Sequence, residues 1–156
     1  MGEARLPMLA RVIRQVERAA IWRHKRQGLL FLSDTTLRDG EQMSGVRLNP
    51  EAKVTIAKAL AAAGMHSIDA GSPAASPEEV EAIRRIVREV HGPVITAHCR
   101  TLPQDIDRVA EALEEASRLK RGITVYIGVS PVHREQKHRK SKAEIIQIAV
   151  DAIQYA

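Results

Sequence analysis

Nine consecutive residues, Asp34-Thr35-Thr36-Leu37-Arg38-Asp39-Gly40-Glu41-Gln42, gather three carboxylates, a guanidinium, two hydroxyls and an amide. Asp39 is a hard oxygen donor of the kind that holds a divalent cation such as Mg, Mn or Zn. Arg38 offers a planar fork for a carboxylate or a developing enolate-like oxyanion. Polar residues gather again at Asp69 with Gly71-Ser72-Pro73, at Thr96, His98 and Arg100, and at Ser130 and His133 ahead of Lys137-His138-Arg139-Lys140. His98 is a candidate ligand, base or donor to a carbonyl. Arg100 is a candidate carboxylate clamp. The set suggests an oxo acid held by a metal, with a cation beside it.

Most of these residues also carry a plainer reading. Asp34 is the residue type that folds back to make a turn. Arg38 and Asp39 are equally a surface ion pair. Asp69 is expected to pair with Arg38 or Arg100 rather than touch a ligand. Cys99 adjoins His98, but strand alternation sends the two side chains to opposite faces, so Cys99 reads as a small buried thiol. Lys137–Lys140 reads as a solvated turn, and His24, His66, His91 and His138 as ordinary surface or loop histidines.

The elements that position these groups follow from periodicity. After a stretch opening at Gly28, Leu29–Ser33 reads as a first strand. Asn49-Pro50 opens a helix through Val54, Ile56, Ala57, Leu60 and Ala61, which stops at Gly64. Ser67–Ala70 is a second strand, and Ser76-Pro77-Glu78-Glu79 opens a second helix with a capping box. Val94–Ala97 is a third strand, and Thr101 with Gln104 suggests a box ahead of a helix through Ile106, Val109 and Leu113. Ile123–Val129 is a fourth strand, and Ser141 with Glu144 caps a last helix along Ile145, Ile148, Ala149, Ala152 and Ile153. Four βα repeats of about 30 residues predict a parallel sheet with right-handed crossovers, either open or part of a (β/α)8 barrel. The four polar clusters then share the C-terminal face of the strands, where such folds place their sites. The first turn lacks a Gly-rich dinucleotide fingerprint.

Composition narrows the class. The 156 residues are 44% hydrophobic and 28% charged, with 3% aromatics, as in a soluble α/β domain built on Ala, Ile, Val and Leu. Residues 1–27 hold seven basic and two acidic side chains, which accounts for the whole net charge of +5. They read as a basic amphipathic leader helix, over 5–22, and a linker. No basic stripe with interleaved aromatics suggests nucleic acid. No apolar run approaches a membrane span, no secretory signal is visible, and a single cysteine fits a reducing, cytoplasmic setting.

The motif Asp34–Gln42 followed by Gly45 resembles the first signature of the 2-isopropylmalate synthase and homocitrate synthase family, metal-dependent barrels related to pyruvate carboxyltransferase domains. Ile68–Pro77, Asp105–Leu113 and Ser130-Pro131-Val132-His133 with Lys140-Ser141 continue the likeness over 29–156. The resemblance implies that 28–156 is the N-terminal half of a (β/α)8 barrel. It implies a Claisen-type condensation of acetyl-CoA with a 2-oxo acid at a divalent metal. Asp39 carries over as a metal ligand and Arg38 as the catalytic cation polarising the carbonyl. Gln42, His98, Arg100 and Ser130 carry over as substrate contacts. His98-Cys99-Arg100 resembles the His-x-Arg of homocitrate synthases, whereas Asp69 and Ser72 stand where the family has Glu and Phe. The family's His-x-His metal pair lies on a later strand than any here. Two functions are therefore expected to compete. One is an acyltransferase completed by further barrel strands. The other is a non-catalytic, self-associating module whose open sheet edges pair.

Overall fold

In the computed structural model, residues 30–156 are described; the leader expected over 1–27 lies outside them. Leu32–Ala156 forms one compact unit, which holds every element that follows.

Four strands form one open, parallel sheet in sequence order: β1 (Ser33–Asp34), β2 (Ser67–Asp69), β3 (Val94–Arg100) and β4 (Arg121–Tyr126). Helices α1 (Pro50–Ala62), α2 (Pro77–Glu89), α3 (Pro103–Ala112) and α4 (Lys142–Tyr155) follow the strands in turn. The sheet order and the βα alternation are those of a partial (β/α)8 barrel, as the repeat predicts. In register, Ser33 lies beside Ser67, Ile68 beside Ile95, and His98 beside Thr124.

Local chemistry sets the boundaries. Asn49 caps α1 by accepting from the Ala52 amide, Pro50 occupies the first turn, and Gly64 takes a φ of 84° just past the end. That left-handed turn is open to glycine at little cost. Ser141 and Glu144 form the reciprocal box expected at α4. Two expected boxes differ. Ser76 accepts from the Glu79 amide, but the Glu79 side chain turns to Lys53 and the Ser72 amide instead of back to the cap. At α3 the cap is Leu102, with no side-chain bond; Asp105 in the first turn is drawn to Arg100. At α2 the ion pair with buried Lys53 outcompetes a cap worth about 1 kcal/mol. The first strand also sits later than expected, with its ladder at Ser33–Asp34 rather than 29–33. Beyond it the Asp34 carboxylate accepts from the Thr36 amide at 2.8 Å, closing a turn.

The core is where the periodicity puts it. On β3, Ile95, Ala97 and Cys99 are buried, while Thr96 and His98 alternate with them and are only half-buried. Ile68 of β2, Val54 and Ala57 of α1, Ile83 and Ile86 of α2, and Ile106 and Val109 of α3 complete one cluster with them. Each fully buried Ile contributes roughly 1.5–3 kcal/mol. This packing holds the strand ends rigid beneath the polar loops.

One side is unfinished among the described residues. β4 pairs only with β3. Beside its free edge lies a cavity of about 670 Å³ lined by Leu113, Ile123, Val125 and Ile153. Ile146 and Ile153 of α4 are 56% and 68% exposed.

Candidate active site

The loop after β1 is wound by its own backbone: the Thr35 carbonyl accepts from the amides of Arg38, Asp39 and Gly40. Gly40–Gln42 then makes a 3-10 turn. This brings Arg38 over the end of β2. Its Nε donates to Asp69 Oδ2 at 3.0 Å and its terminal nitrogen to Asp39 Oδ1 at 2.8 Å. Both plain readings of these acids thus hold: Arg38 and Asp39 are an ion pair, and Asp69 pairs with Arg38. Arg100 is not its partner.

Pairing of β2 with β3 continues past Asp69, since the His98 amide donates to the Gly71 carbonyl at 2.9 Å. His98 therefore rises on the same face as Asp69, and its Nδ1 lies 3.1 Å from the same Oδ2 that Arg38 holds. The Tyr126 ring, from the end of β4, sits 5.3 Å from the His98 ring. Arg38, Gln42, Ser72, His98 and Tyr126 line a cleft of about 350 Å³. Three of the residues expected at the site from the sequence thus meet around one cavity, with Asp39 ion-paired to Arg38 beside it.

Arg100 and Ser130 are not among its lining residues. Arg100 reaches over to Asp105, with bonds of 2.5 and 3.0 Å. Together with Leu102, Tyr126, Lys137 and His138 it lines a neighbouring cavity of about 460 Å³. The hydrogen bond from Arg100 holds the buried Asp105 carboxyl below its ordinary value of 3.8 against desolvation, which acts the other way. A carboxylate with a depressed folded-state pKa gives stability that is complete above its unfolded value and fades as pH falls through the folded one. Asp105→Asn is therefore expected to flatten the acid limb of a denaturation profile below about pH 4, with no change in slope near neutrality. Ser130 caps the next turn, its Oγ accepting from the His133 amide at 3.2 Å. Cys99 faces the core as expected; desolvation, with Asp105 adding to it, pushes its thiol up to about 11.

A second layer was not foreseen. Lys53 is completely buried, and its ammonium is 2.6 Å from Glu41 Oε2 and in contact with Glu79 Oε1. Glu41 also accepts from the Leu48 amide, and Glu79 from the Ser72 amide. One buried cation thereby ties the loop after β1 to the loop after β2. A signal was present: Lys53 lies four residues before Ala57, on the apolar stripe of α1. Gly71 passes so close that a Cβ there would collide with the Glu79 carboxylate, at a φ of 134°.

Asp39 is the residue suited to a cation. Its side chain is 63% exposed, and among the described residues its Oδ1 alone is engaged, by Arg38. One such carboxylate fits a hard divalent ion that keeps several water or substrate oxygens. No group of three metal-ligating side chains occurs among the described residues. No helix among them is long and apolar enough to cross a membrane.

The sequence is similar to those of known proteins. The profile of the HMGL-like family matches residues 30–156. The 2-isopropylmalate synthase of Dictyoglomus turgidum is 46% identical over 129 residues, covering 83% of this chain and 25% of that protein. That of Pyrococcus furiosus is 47% identical over 123 residues, covering 79% and 24%. The 2-isopropylmalate synthase of Gloeobacter violaceus is 43% identical over 133 residues. The chain thus spans about a quarter of the length of the curated relatives it matches.

Proposed function

Because the chain belongs to the HMGL-like family, we propose that its cleft is the oxo-acid-binding part of an acyltransferase site, for Claisen condensation of acetyl-CoA with a 2-oxo acid. The observation that carries this is Arg38, held by Asp39 and Asp69 at the mouth of a cleft shared with Gln42 and His98. A guanidinium fixed by two carboxylates is pre-oriented, so it can meet an oxyanion without first being immobilised. Asp39 would hold a Mg, Mn or Zn ion, which when bound supplies Lewis-acid polarisation of the oxo group. Gln42 adds neutral donors. Buried Lys53 keeps both loops in register while the substrate exchanges.

Calorimetric titration of the full chain with a 2-oxo acid in the presence of Mn tests this. Binding is expected, and is expected to be lost in Asp39→Asn; binding that ignores either the metal or Asp39 would overturn the reading. Condensation itself is expected to be negligible for these 156 residues, because one carboxylate is a small share of a catalytic metal site. CoA release from acetyl-CoA and a 2-oxo acid, abolished by Asp39→Ala, would contradict that.

A second reading is favoured by the free β4 edge and the exposed apolar side chains beside it. Unpaired edges and apolar patches of this kind promote association. Self-association at micromolar concentration is expected in sedimentation, weakened by Ile153→Lys. A monodisperse monomer would remove the case for it.

A further inference from the structure

We infer that Asp69 is a positioning residue that fixes His98 as its Nδ1–H tautomer, so that the ring presents Nε2 to the cleft as a hydrogen-bond acceptor. Asp69 is 5% exposed. Its Oδ2 receives the Arg38 Nε–H and lies 3.1 Å from His98 Nδ1. A carboxylate is an acceptor only, so the proton between it and the imidazole belongs to the ring, on Nδ1. In the neutral ring Nε2 then carries the lone pair. Among the described residues Nε2 has no hydrogen-bond partner, and it is not among their buried unpartnered side-chain atoms, which are Asp69 Oδ1 and His138 Nε2. With His98 lining the cleft beside Arg38 and Gln42, Nε2 is the atom left to meet a ligand.

The consequence is a division of labour within five residues. Arg38 serves the electron-rich end of a ligand and His98 the end that bears a donor, such as a hydroxyl. A second carboxylate placed against Nε2 would meet a lone pair unless it brought a proton with it. The inference gives the cleft a polarity, and it rests on the reading of that cleft as the substrate site. Its test does not, because the tautomer is read without turnover or ligand.

The experiment is long-range 1H–15N correlation of the histidine rings in the full chain at about pH 8.5, where ordinary imidazole is neutral. His98 is assigned by the signal lost in His98→Gln. An Nδ1–H to Nε2–H ratio above about ten is expected, from the strength of a charge-assisted hydrogen bond. In Asp69→Ala the ratio is expected to fall at least severalfold. A wild-type ring protonated mainly on Nε2 would overturn the inference, whether or not the variant folds. So would a folded Asp69→Ala whose ratio is unchanged.

Discussion

Replacing Lys53 with Met is expected to cost about 3–5 kcal/mol of folding stability, the range for breaking a buried ion pair from one side. Met matches the length of the lysine stem and packs well, so lost volume contributes little. What remains is two carboxylates, Glu41 and Glu79, facing a pocket from which their cation has gone. Domains of this size are stable by only about 5–15 kcal/mol, so the variant should sit near the edge of folding. Urea denaturation checks the size of the loss. The triple variant Lys53→Met, Glu41→Gln, Glu79→Gln is expected to recover part of it, because the uncompensated charges are then gone. Equal stability of the single and triple variants would show that the charges are not what Lys53 neutralises.

Arg38→Lys is expected to weaken 2-oxo acid binding about ten- to a hundredfold. A hydrogen bond to a charged group contributes roughly 1.5–3 kcal/mol, and the substitution keeps the charge while removing the fork. A guanidinium reaches Asp39 and Asp69 at once, with Nε on one and a terminal nitrogen on the other. An ammonium is a compact point charge and does not reproduce that planar fork. The expected loss is therefore one of orientation, and calorimetry with and without Mn separates it from loss of the metal. Unchanged affinity would mean that Arg38 is a structural partner of Asp69 and nothing more.

The frame of the molecule was readable from periodicity because each βα unit declares itself twice. Apolar spacing along α1 and α2 marks the buried face, and Asn49-Pro50 and Ser76-Pro77 mark the starts. Alternation on β3 separated Cys99 from His98 correctly. The site was readable in part, because residues at the ends of parallel strands share a face. What the sequence could not show was competition for partners. Arg100 looks as free as Arg38 on paper, yet Asp105 lies five residues on, in the first turn of α3, and captures it. Glu79 looks like a capping residue until Lys53, 26 residues earlier, is seen to reach it. Such choices depend on burial. A charge-assisted bond in the interior outweighs a solvated cap, and burial of a lysine is legible only from its place on an apolar stripe.

That the strand ends form one metal-assisted oxo-acid site is tested most directly by paramagnetic broadening of amide resonances during titration of the 15N-labelled full chain with Mn. Broadening is expected to begin at residues 37–42, to spread to Asp69 and His98, and to vanish in Asp39→Asn. Broadening centred elsewhere, or persisting in Asp39→Asn, would contradict it.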